Sequence, residues 1–215
     1  MFQRWFPIAN CYLRSREEDY ASALILSAGF GLAVAGTIAC ALRPCDNLII
    51  QAAAVFYPAT MALMMAMAVA YYVSWGSWVR RRLRQPLRVM TLVCGAAACF
   101  PICLGSGASD LIAGSLILSV SGLTLWAAFK SDMTAPTGST AGLLWTIAFM
   151  ISNVLFAVIR FEYTSWSIFA GPVVLLALGA IIYCMTYRQW YHTIWHAFLI
   201  AAACAHYASV WQHLM

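Results

Sequence analysis

The chain has 215 residues, of which 64% are hydrophobic and 9% charged, with a formal net charge of +5. A soluble domain carries about 25% charged residues, so this composition excludes a water-exposed surface over most of the chain and points to a bilayer. The positive balance is scattered over helix ends, apart from one cluster, which is a topology signal and not a nucleic-acid one.

Met1 to Leu13 is apolar but short and broken by Pro7, and no small-residue cleavage site follows it, so it does not read as a signal peptide. Phe2, Trp5, Phe6 and Ile8 beside Arg4 suit the membrane interface. Ser15-Arg16-Glu17-Glu18 has the spacing of a capping box. The first span then runs from about Tyr20 to Leu42, and Arg43-Pro44 with Asp46-Asn47 makes a turn. The second span is about Leu48 to Val73 and contains Pro58. A polar loop with Arg80, Arg81, Arg82 and Arg84 leads through Pro86 to a third span, about Leu87 to Leu104. The fourth span is about Asp110 to Phe129 and the fifth about Thr140 to Ile159. The sixth is about Ile168 to Met185 and the seventh about His192 to Trp211. Each span needs about 20 apolar residues, so seven use most of the chain. The expected fold is an all-α, seven-transmembrane helix bundle: 1–19 is a cytoplasmic or interfacial segment and 20–213 a single membrane domain.

Counting Lys and Arg orients it. Arg4, Arg14, Arg16, Arg80, Arg81, Arg82, Arg84, Arg88, Lys130 and Arg188 fall on one side; Arg43 and Arg160 fall on the other. The positive-inside rule places the first group, and the N-terminus, in the cytoplasm. Trp78, Trp166, Trp190 and Trp211 fall near the expected interfaces. The chain is expected to be an integral, multi-pass membrane protein, of the inner or plasma membrane if bacterial. Membrane lipids are its expected partners, with other membrane subunits possible in principle. Arg80, Arg81, Arg82, Arg84 and Arg88 are candidate contacts for anionic headgroups, although such a cluster also serves simply to set topology.

No acidic or basic residue falls in the middle of a span, which argues against ion-coupled carriers and pumps. The one lysine, Lys130, ends the fourth span, so a retinal Schiff base is excluded. No continuous polar stripe suggests a pore. The eight cysteines form no CxxC pair. Cys40 and Cys45 flank the first turn and could pair in an oxidising compartment, but they read better as unlinked small residues.

The polar chemistry concentrates in the last span. All four histidines, His192, His196, His206 and His213, lie in it or just past its end. His192 and His196 are four residues apart and share one helix face, the way one helix supplies two metal ligands. The plain alternative is a pair of histidines bonded to loops or headgroups. A metal also needs a third ligand from another helix. Cys94, Tyr71, Tyr72 and water are the remaining donors.

The segment His192 to Val210, HTIWHAFLIAAACAHYASV, resembles the last helix of the hemolysin III family. That family is the bacterial branch of the progestin and adipoQ receptor family, in the larger group that includes alkaline ceramidases. Glu17-Glu18 before Gly29 and Gly31, Tyr57 to Tyr72, Arg80 to Arg88, and Pro101 follow the family's first three spans. The resemblance covers nearly the whole chain, and its specific part is the last helix. It implies seven helices, a cytoplasmic N-terminus and a zinc site near the cytoplasmic side. In the family, zinc is held by one histidine of the second helix and two of the seventh, beside a serine and an aspartate. His192 and His196 match the seventh-helix pair. The second-helix histidine position holds Tyr72, the serine position Ala68, the aspartate position Leu87 and the position after it Arg88. The first helix has Ile25 and Leu26 where the family has a histidine. Loss of one ligand of three weakens zinc strongly, and loss of the carboxylate removes the group that would activate a bound water. The resemblance thus implies a degenerate, non-catalytic member, an accessory or lipid- or partner-binding subunit. The alternatives are a zinc-dependent, ceramidase-like lipid amide hydrolase or a receptor.

Overall fold

The structure is a computed structural model and describes residues 15–74, 78–105, 163–184 and 190–213. Among the described residues there are five helices and no strand: α1 (Arg16–Leu42), α2 (Leu48–Val73), α3 (Trp78–Gly105), α4 (Tyr163–Cys184) and α5 (Tyr191–His213). Three segments, Arg16–Leu42, Leu48–Val73 and Tyr191–Gln212, are long and apolar enough to cross a membrane. The expected fourth and fifth spans and the aromatic segment 1–14 lie outside the described residues.

The helix ends follow local chemistry. Ser15 caps α1 in a complete capping box: Ser15 Oγ accepts from the Glu18 N–H, and Glu18 Oε2 accepts from the Ser15 N–H. At the other end of α1 the Gln51 side chain donates to the Arg43 carbonyl at 2.8 Å, covering an acceptor the helix leaves open. Asn47 then caps α2 through the Ile49 and Ile50 N–H groups. The α2 bounds agree with the expected second span. The arginine segment does not: it was expected as a loop but forms the first turns of α3, which runs through Pro86 for 28 residues. Arginine is a good helix former, and the helix continues through Pro86 at the loss of one backbone hydrogen bond.

The bundle packs α1 on α2, α2 on α3, α1 on α5 and α4 on α5. The buried stripe of α1 includes Glu18, Ser22, Leu26, Gly29, Ala33, Gly36 and Cys40, at spacings of three or four. Small residues along such a stripe let helices approach closely where lipid leaves no hydrophobic drive between them. The main core joins Leu26 and Ala33 to Met61, Met65 and Ala68 of α2 and to Cys94 and Ala97 of α3. A second cluster of Cys40, Ala54 and Val210 closes the far end. There Arg43 donates to the Trp211 carbonyl at 3.1 Å and lies over the Trp211 ring, a cation placed at a helix C-terminus. Cys40 remains a thiol against the Tyr207 hydroxyl and is not bridged to Cys45. The outer faces carry Leu24, Leu32 and Ile38 of α1, Phe56 and Leu63 of α2, and Val174, Leu178 and Ile181 of α4. Apolar side chains turned outward along whole helices are what a bilayer solvent selects.

Two glycines mark the closest approaches. A Cβ on Gly179 of α4 would fall 2.8 Å from Phe198 Cβ and 2.9 Å from the Trp195 ring of α5. One on Gly29 would meet side-chain atoms of Met65 and Ile200, which can shift more easily than the Phe198 Cβ, whereas Gly31 faces open space. Gly179→Ala is therefore expected to cost about 1–3 kcal/mol through overpacking, Gly29→Ala less, and Gly31→Ala nothing or a slight gain in helix propensity. Thermal unfolding of the three variants in detergent checks this ranking.

Candidate functional site

The arginine-bearing end of the bundle gathers the buried polar groups. Glu18, Asp19, Ser22, Thr193 and His196 are all buried there. Glu18 is the centre of the set. Its Oε2 closes the α1 capping box, and its Oε1 accepts the Trp190 N–H at 2.6 Å. Trp190 immediately precedes α5 and its carbonyl accepts the first helical bond, from the Ile194 N–H. One carboxylate thus covers donors at the N-termini of two helices, where both macrodipoles favour negative charge. Trp190 has φ 66°, a left-handed conformation that is uncommon for a bulky residue. Its charge-assisted bond to Glu18 helps hold that strained turn. The Ser22 and Thr193 hydroxyls pair at 3.0 Å one turn deeper, and Thr193 also donates to the Glu18 carbonyl.

Asp19 faces α3. Arg80 Nη1 donates to Asp19 Oδ2 at 2.6 Å, and the guanidinium lies 4.7 Å from the centre of the Tyr71 ring. Burial by itself would lower the Arg80 pKa. The hydrogen bonds it donates to Asp19 and Tyr71 and the attraction of both groups outweigh it, so the pKa lies above the ordinary arginine value.

Beside this pair sits the histidine cluster. Tyr72, the neighbour of Tyr71 on α2, points its hydroxyl at α5. Tyr72 Oη is 2.8 Å from His196 Nε2 and 3.3 Å from His192 Nδ1. The imidazole centres are 5.3 Å apart. Tyr183 of α4 packs edge-on to His192 at 5.1 Å. A phenol has one proton and two lone pairs, so Tyr72 can donate to one imidazole and accept from the other. His192 and His196 do share a face and a neighbour, as their spacing suggested.

The third-ligand candidates separate. Tyr72 reaches both histidines. Tyr71 is turned to Arg80 instead. Cys94 lies against Met61 Sδ, eleven residues and therefore about 16 Å along α2 from Tyr72. His206 bonds the Ala98 carbonyl of α3 at 2.9 Å and packs edge-on to Tyr57. Among the described residues no three His, Cys, Asp or Glu side chains converge on one point. Glu18 and Asp19, the nearby carboxylates, are committed to N–H groups and to Arg80. The described neighbour of the two imidazoles is a phenol, where structural zinc usually takes imidazole, thiolate or carboxylate.

Of the headgroup candidates, Arg81 and Arg82 are exposed, Arg84 is half-buried, and Arg80 is turned inward to Asp19. The Arg88 side chain lies outside the described residues. The bonds joining Glu18 to Trp190 and Asp19 to Arg80 were not legible in the sequence, which showed only the Ser15–Glu18 capping box. A signal for part of them existed: Glu18 and Ser22 continue the small-residue stripe of α1, which puts them on a packing face. Comparison with known proteins finds no matching family model, no matching curated protein and no matching solved structure.

Breaking a buried ion pair from one side leaves a charge without its counterion and costs about 3–5 kcal/mol. Arg80→Gln is expected near the low end, because the guanidinium keeps some exposure. The double variant Arg80→Met/Asp19→Leu is expected to recover part of the loss. A double-mutant cycle read by thermal unfolding measures the coupling.

Proposed function

We propose that this chain is a non-catalytic, multi-pass membrane protein of hemolysin III-like fold, with seven spans and a cytoplasmic N-terminus. Its role is that of an accessory or lipid- or partner-binding subunit. A hydrogen-bonded cluster of Tyr72, His192 and His196 stands where the family holds zinc. One observation carries this reading: the Tyr72 hydroxyl lies where the two histidine nitrogens converge. Among the described residues the nearby carboxylates, Glu18 and Asp19, are taken up by N–H groups and Arg80. The chemistry left to these residues is the exchange of a hydrogen bond between α2 and α5. The loss of both the family's ligand histidine and its aspartate, at Tyr72 and Leu87, supports the same conclusion.

Elemental analysis of protein purified from zinc-supplemented cells tests it. Wild type is expected to carry far less than one zinc per chain. Tyr72→His supplies a third imidazole and is expected to raise zinc towards one per chain, with the gain lost again on adding His192→Ala. Stoichiometric zinc in wild type that disappears in His192→Ala/His196→Ala would overturn the reading in favour of a metal-dependent hydrolase.

A further inference from the structure

We propose that the outward face of the first turns of α3, formed by Trp78, Arg81 and Arg82, is a binding surface for the phosphate groups of anionic membrane lipids. The inference starts from the length of the helix. The 28 residues of α3 extend about 42 Å, against about 30 Å of hydrocarbon. On the seven-span reading proposed above, the apolar run 89–105 makes the crossing, which puts 78–86 at headgroup depth. Because these residues are helical, and not the expected loop, their side chains project from a rigid scaffold.

The helix then sorts its arginines. Trp78, Arg81 and Arg82 are related by steps of three and four and share one face. All three are exposed, Trp78 by 67%. Arg80 turns the other way into Asp19. Of the three carboxylates on the first turn of α1, Glu18 and Asp19 are buried, so their charge is drawn into the bundle and away from this face. Glu17 is exposed on α1, and on α3 itself what remains outward is two guanidinium forks beside an indole. Guanidinium matches phosphate oxygens in a bidentate fork, and indole settles at the membrane interface. The surface rests on the membrane-spanning reading and not on the histidine cluster, so the zinc and lipid experiments can fail separately.

The test is thermal unfolding of the purified full chain in neutral detergent, titrated with phosphatidylglycerol, phosphatidylcholine or inorganic phosphate. Phosphatidylglycerol is expected to raise the midpoint, and the other two to leave it unchanged. Arg81→Gln/Arg82→Gln is expected to keep the lipid-free midpoint and weaken the phosphatidylglycerol response about thirtyfold. In wild type, raising the salt concentration is expected to weaken the same response, which needs no variant to fold. The proposal is overturned by an unchanged response in the double variant, by equal response to phosphatidylcholine, by inorganic phosphate alone sufficing, or by a response indifferent to salt. A chain that ignores phosphatidylglycerol altogether uses these arginines as a topology signal alone, and that too overturns it.

Discussion

The Glu18 carboxylate is the contact on which the polar end of the bundle depends. It is almost fully buried, and it accepts one N–H from the start of α1 and one from the start of α5. Those helices are separated by most of the sequence, so the contact fixes a non-local register as well as a local cap. Burying a carboxylate is costly unless hydrogen bonds answer its oxygens. Here backbone donors answer both, in the positive field of two helix ends. The left-handed turn at Trp190 follows from this arrangement, because that turn is what directs its N–H at Oε1.

From this fixed register the neighbouring groups take their places. Thr193 meets Ser22 one turn deeper, and His196 follows at the depth of Tyr72. Asp19, next in sequence to Glu18, faces the opposite neighbour and draws in Arg80. α5 is the hub of the described bundle: it meets α1 through Thr193, α2 through His192 and His196, α3 through His206, and α4 through His192 and Trp195. The histidines of the chain therefore serve interhelical hydrogen bonds wherever their contacts are described. That use suits a bilayer interior, where a polar side chain must find its partner within the protein.

The sequence was most legible where the physics is local. Ser15 and Glu18 announced the α1 cap, and α2 runs from Leu48 to Val73 as expected, because caps and apolar runs act over a few residues. Arg80 to Arg84 misled, since a charged run bounded by a proline reads as a loop when considered alone. In the structure its inward face pairs with Asp19 and Tyr71, and its outward face stands clear of the apolar core. The shared face of His192 and His196 was visible from spacing. The choice among Tyr71, Tyr72 and Cys94 as their neighbour was not, because it depends on the rotation of α2 about its own axis.

Sequence by itself determined that this chain is helical and membrane-associated, because too few charges are present to face water and long apolar runs must satisfy their backbone within themselves. It also determined which residues could do polar chemistry, since so few are available. Tertiary structure alone decided how they combine: Glu18 joins two helix starts, Asp19 takes Arg80 out of the exposed set, and Tyr72 lies between the histidines. The reason is physical. Propensity, capping and hydropathy are set by neighbours in sequence, whereas the partner of a buried polar group is set by helix rotation and depth. Those are fixed only when small-residue stripes such as Gly29, Ala33 and Gly36 bring distant segments into contact.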